Sequence, residues 1–147
     1  MYITSDDSKE KFTTNKMNDF TVEFDTEIDL SKHIVGARDR FAVALTEMSI
    51  ESSSLVVRQQ TIPEACLLMC DICDLSYVNG IQRPILRSFP SQDTDSLSLY
   101  LPQYVPVTVN SFNRLRIEIK TRALKSLDSS KWNLDSVIQC TLHFQSL

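Results

Sequence analysis

The sequence predicts an all-β domain, an eight-stranded single jelly roll of two packed antiparallel sheets, and three features of its 147 residues lead there. Apolar residues recur at every second position in most segments that have any period. There are only two glycines, so tight hairpins are scarce and most connections must be longer crossings. An apolar share of 42% and a charged share of 23% fit a globular domain that can bury a core without disulfides or metals.

Residues 1–18, "MYITSDDSKEKFTTNKMN", read as a polar N-terminal arm or first edge segment, and 19–147 as the jelly-roll domain. "FTVEFDTEIDL" sets Phe20, Val22, Phe24, Ile28 and Leu30 on one face and Glu23, Asp25, Glu27 and Asp29 on the other, the pattern of a half-solvated strand. "FAVALTEMSI" (41–50) starts apolar on both faces, and "CLLMCDICDL" (66–75) is apolar on both for most of its length. Leu55–Gln60, Ile85–Phe89 and Val105–Val109 are shorter candidates. "RLRIEIKTR" turns Leu115, Ile117 and Ile119 inward and Arg116, Glu118, Lys120 and Arg122 outward. In "VIQCTLHFQ", Ile138, Cys140, Leu142 and Phe144 share a face. No helix is predicted beyond a turn near Ser129 to Asp135. The sole Asn-Gly pair, Asn79–Gly80, favours a type I′ hairpin. An eight-stranded jelly roll sets one pair of successive strands side by side in one sheet, and this Asn-Gly pair is read as the link between them.

Composition excludes several classes of function. No apolar run approaches the ~20 residues of a membrane-spanning helix, and the first residues are too polar for a signal peptide. The expectation is a protein made in the cytosol with reduced thiols. A net charge of −4 argues against a direct nucleic-acid site. The charge is uneven: residues 1–51 carry 11 acidic and 6 basic side chains, net −5, against 8 and 9 in the remainder, net +1.

"CLLMCDIC" has the C-x3-C-x2-C spacing of an iron-sulfur site. On an extended strand, however, Cys66 and Cys70 stand roughly 13 Å apart on one face with Cys73 on the other. Metal–sulfur bonds of about 2.3 Å cannot span that, so the cysteines read as small apolar core residues. Cys140 completes no zinc spacing. His33 and His143 lack a neighbouring nucleophile or orienting group, and no phosphate-binding or hydrolase motif occurs. Neither catalytic residues, nor a metal site, nor a cofactor is expected, and the chain is read as a non-enzyme.

The carboxylates Glu23, Asp25, Glu27 and Asp29 are about 6.6 Å apart along a strand, too wide for more than about two to ligate one ion. Their expected use is electrostatic. In a jelly roll the acidic strand and the basic strand bearing Arg116, Lys120 and Arg122 belong to different sheets, so one subunit's acidic face could meet the next subunit's basic face in a ring.

"FTVEFDTEIDL", "FAVALTEMSI", "CDICD", "PILRSFP", "YVPVTVN", "LRIEIKTR" and "CTLHFQ" follow one another in an order that resembles the capsid proteins of Polinton or Maverick elements and adintovirus-like relatives. The similarity spans most of residues 2–146; each motif is short, and its force lies in order and spacing. The resemblance implies a virion structural protein. Room for one jelly roll makes it similar to the minor capsid (penton, vertex) protein rather than the longer major capsid protein. Its implied partners are itself, by self-assembly into a homopentamer, and a double jelly-roll major capsid protein. The implied location is the virion, after synthesis in the host cytoplasm and with assembly expected in the nucleus. The alternative is a non-viral or domesticated jelly-roll binding module, lectin-like or chaperone-like. A cupin-type metal enzyme, which draws several histidines into its barrel, fits poorly with two.

Overall fold

The computed structural model describes residues 1–36, 39–51, 65–90, 96–98, 101–129 and 132–147. Alternating side chains build two antiparallel sheets whose apolar faces meet. The elements are β1 (Tyr2–Thr4), β2 (Asp19–Asp29), α1 (Leu30–His33), β3 (Phe41–Glu51), β4 (Ala65–Cys70), β5 (Ser76–Val78), β6 (Ile81–Arg83), β7 (Ile85–Pro90), β8 (Ser96–Ser98), β9 (Val105–Pro106), β10 (Ser111–Thr121) and β11 (Val137–Ser146). The first sheet runs β1-β11-β3-β8, with β9 also on β3; the second runs β2-β10-β4-β7; β5 and β6 make a small sheet of their own.

Eleven strands, not eight, therefore lie among the described residues. β1 forms inside the segment expected as arm or edge, pairing Ile3 with Cys140 of β11. β8 and β9 share one edge of β3, at Glu47↔Ser98 to Ser49↔Ser96 and at Ala42↔Pro106 with Val43↔Val105. The strand expected over Val105–Val109 is thus shorter, with Val107 making an isolated bridge to Cys73. The Leu55–Gln60 candidate lies outside the described residues. In the turn expected near Ser129 to Asp135, Trp132 donates its N–H to the Asp128 carbonyl at 3.0 Å.

The inward faces agree with the period of two. Phe20, Val22, Leu115, Ile117, Ile119, Cys66, Leu68 and Cys70 of the second sheet meet Ile3, Val43, Leu45, Ile138, Cys140 and Leu142 of the first in one apolar core. Each fully buried Leu, Ile or Phe stabilises the fold by roughly 1.5–3 kcal/mol relative to exposure. β4 is buried on both faces, as expected: Leu67 and Met69, which alternate with the core-facing residues, are also buried. Bulges reset the alternation where it would fail. The β3–β11 register slips between Leu45 and Glu47. Thr46 is the extra residue, so Leu45 and Met48 both reach the core. A slip between β4 and β7 does the same for Leu86.

The Asn-Gly pair closes a tight turn with φ of +49° at Asn79 and +75° at Gly80. It does not join two long strands: it links the short β5 and β6, while the main-sheet strands on either side, β4 and β7, pair directly. "FTVEFDTEIDL" ends in a helical turn, because the Asp29 carboxylate accepts the Ser31 N–H at 3.0 Å and caps α1.

Candidate functional site

The acidic and basic strands are neighbours in one sheet, which overturns the expectation that they face apart. β2 pairs with β10, setting Thr21 opposite Arg116 and Glu23 opposite Arg114. Opposite charges then meet across the strands. The Arg116 guanidinium donates two parallel hydrogen bonds to the Asp19 carboxylate, at 3.0 and 2.9 Å. This fork pushes the Arg116 pKa upward from its ordinary value. Glu118 lies 3.7 Å from both Arg116 and Lys120. Glu23 is bound by Lys11 and stands 3.6 Å from Arg114. The Lys11 hydrogen bond is the main cause holding the Glu23 carboxyl below its usual range, burial partly opposing it.

The remaining candidates divide. Glu27 accepts a hydrogen bond from the Ser111 hydroxyl at 2.7 Å. Asp29 is held below the usual carboxylate range chiefly by the Ser31 hydroxyl, with Lys32 at 3.5 Å. Asp25 is exposed and forms no ion pair among the described residues. Arg122 is exposed, and its backbone carbonyl accepts the Asn79 side-chain N–H at 3.1 Å, anchoring the β5–β6 hairpin beside the end of β10. The contrast between an acidic and a basic face is thus largely spent within the chain.

Residues that the sequence did not single out shape the edge of β2. The Asn15 amide donates to the Thr21 carbonyl at 2.9 Å and accepts the Thr21 N–H at 3.0 Å. The Ser8 hydroxyl accepts the Glu23 N–H at 2.9 Å and donates to the Glu23 carbonyl at 3.3 Å. Two side chains of the N-terminal segment thereby satisfy an edge that would otherwise invite another strand. Only the polar character of residues 1–18 hinted at this.

The cysteines are all buried, and none forms a disulfide. Burial pushes the Cys140 thiol up to about 12. The strand ends at Cys70 rather than Leu75, so Cys73 does not sit on the opposite face of a continuing strand. The backbone turns through Asp71 and Ile72, the Cys73 N–H reaching the Cys70 carbonyl at 3.0 Å, and the neighbouring Cys73 thiol together with burial drives the Cys70 pKa up. Among the described residues, no group of three or more His, Cys, Asp and Glu is placed to hold a metal ion.

His33 is exposed at the end of α1, and the His143 ring pairs with the Tyr104 hydroxyl at 2.7 Å. No helix among the described residues is long and apolar enough to cross a membrane. Of the large apolar side chains left in water among the described residues, Tyr2, Val35, Leu101 and Leu147 lie elsewhere, while Leu75, Tyr77 and Ile81, at 57%, 71% and 45% exposed, belong to the β5–β6 hairpin and its approach. Comparisons of the chain with protein-family models, with curated proteins and with solved structures found no match.

Proposed function

We propose that the chain is a structural capsid subunit, a single jelly-roll minor capsid protein of the penton or vertex type, working through its surfaces without chemistry. The observation that carries this reading is the strand order. Counting β8 and β9 as one interrupted edge strand and the β5–β6 hairpin as an insertion leaves eight strands, ordered 1-8-3-6 in one sheet and 2-7-4-5 in the other. Successive strands then cross between sheets except at the fourth and fifth, the double Greek-key pattern of capsid jelly rolls. The segments that resemble the capsid proteins of Polinton-type elements fall in the same order on β2, β3, the end of β4, β7, β9, β10 and β11.

A subunit of this kind associates through edges and loops. The internal pairing of β2 with β10 removes the head-to-tail meeting of two charged faces as the driving force. The contact instead draws on apolar surface such as Leu75, Tyr77 and Ile81 of the hairpin region, with Asp25 and Arg122 among the exposed charges available to a neighbour. The test is the mass in solution by light scattering across concentration and salt, followed by electron microscopy alone and with a co-expressed double jelly-roll protein. A closed ring of five that changes little with ionic strength is the expected result. A strict monomer under all conditions favours the non-viral binding module instead.

A further inference from the structure

We propose that Cys70 and Cys73 are a dithiol–disulfide pair, closed by a small-molecule disulfide oxidant, that locks the turn joining the two sheets. Three observations carry it, independently of the capsid reading. First, the Cys73 N–H donates to the Cys70 carbonyl at 3.0 Å, closing a four-residue turn. Turns of this kind hold the outer Cα atoms within about 7 Å, inside the range a disulfide spans. Second, both side chains are buried in the same core, where the Cys73 thiol is close enough to act on the Cys70 thiol. Third, the other cysteines stand elsewhere: Cys66 lies four positions up β4 from Cys70, roughly 13 Å away at strand spacing, and Cys140 belongs to β11 in the other sheet.

The position gives the bond a consequence. On one side Asp71 exchanges hydrogen bonds with the backbone of Arg116 in β10, at 3.2 Å from its N–H and 3.0 Å to its carboxylate. On the other, Asp74 donates to the Pro106 carbonyl and Thr108 to the Ile72 carbonyl, both at 2.9 Å, next to β9. Residues 70–74 are therefore a strap between the sheets, and a covalent link across the strap restrains local opening there.

The chemistry balances with a low-molecular-weight disulfide such as oxidised glutathione. Cys73 loses its proton, and its thiolate attacks one sulfur of the oxidant, breaking that S–S bond and expelling one glutathione thiolate. Cys70 then loses its proton and attacks the Cys73 sulfur of the mixed disulfide, forming the protein S–S bond and expelling the second thiolate. The protein gives up two protons and two electrons, and the oxidant becomes two thiols. Because Cys70 and Cys73 are 0% and 2% exposed, the first attack waits on opening of the strap, and mild urea should accelerate it.

The experiment equilibrates the folded protein, and separately the free peptide "ACLLMCDICDL" with its first cysteine blocked, across graded ratios of oxidised to reduced glutathione. Samples are quenched in acid and alkylated under denaturing conditions, then mapped by mass without reductant. Expected is a peptide carrying Cys70 and Cys73 that lacks two hydrogens, with Cys66 and Cys140 alkylated. Its midpoint should fall at an oxidant ratio at least about tenfold lower than that of the free peptide, since the fold pre-organises the pair. The proposal is overturned by four alkylated cysteines at ratios that oxidise the peptide, by a Cys66 pairing, by a stable glutathione adduct, or by a midpoint equal to the peptide's.

Discussion

Asn15 stands in for a neighbouring strand. It is buried, and its amide satisfies both edge-facing backbone groups of Thr21 while also donating to the Asp7 carbonyl at 3.3 Å. Asn15→Ala strands those groups, and the expected loss is about 1–3 kcal/mol, read as a lower urea midpoint with an unchanged slope. A variant as stable as wild type would mean that water replaces the amide at no cost. Glu23 makes a pH argument. Its folded pKa lies below the ordinary 4.5 because Lys11 binds the carboxylate. Between the folded value and 4.5 the unfolded state binds more protons, so this contribution is present above 4.5 and lost as pH falls through the folded value. Glu23→Gln should therefore lose less stability than wild type between neutral pH and about pH 3, measured by urea titration at each pH; parallel losses would remove Glu23 from the account. The sequence disclosed the burial of the cysteines through their place in an apolar run. It could not disclose Asn15 or Ser8, whose partners are set by where the chain folds back.

Long strands announce themselves by alternation, and β2, β10 and β11 were legible for that reason. β1 and β8 run for only three residues, too few to show a period, and each exists because a long strand offers it an edge, whereas β9 keeps two residues of the strand expected over Val105–Val109. The Thr46 bulge and the early end of β4 were hidden because both depend on register with a partner. The hairpin was legible in one dipeptide, but its setting was not. Gly80 holds φ of +75°, where a β-branched side chain costs about 1–2 kcal/mol. β5 and β6 pair only with each other, so Gly80→Val should act locally. Hydrogen exchange at residues 76–83 should quicken while the core amides of β10 and β11 keep their protection. Loss of protection throughout would show that the hairpin is an integral part of the fold.

At the scale of the whole molecule, opposite charges on two strands could be read from the sequence, but not that the strands are neighbours, because that is a property of topology. The same topology makes the last strand a keystone. β11 lies between β1 and β3 and pairs with both, joining Ile3 to Cys140 and Ala44 to His143. It also places Ile138, Cys140 and Leu142, all fully buried, at the centre of the core. Without it β1 has no partner, β3 exposes an edge, and the inner face of the second sheet loses its cover. A chain ending at residue 136 should therefore lack a cooperative unfolding transition by circular dichroism and near-ultraviolet signals, although it keeps every residue of the second sheet. A peptide of residues 137–147 supplied in trans should restore both, because β11 contributes whole ladders rather than a connection. The same peptide with Leu142→Ala should restore them less well, by about 2–5 kcal/mol of combined folding and binding free energy. If the shortened chain unfolds cooperatively on its own, the second sheet carries a core independent of β11, and the two-sheet account of stability gives way.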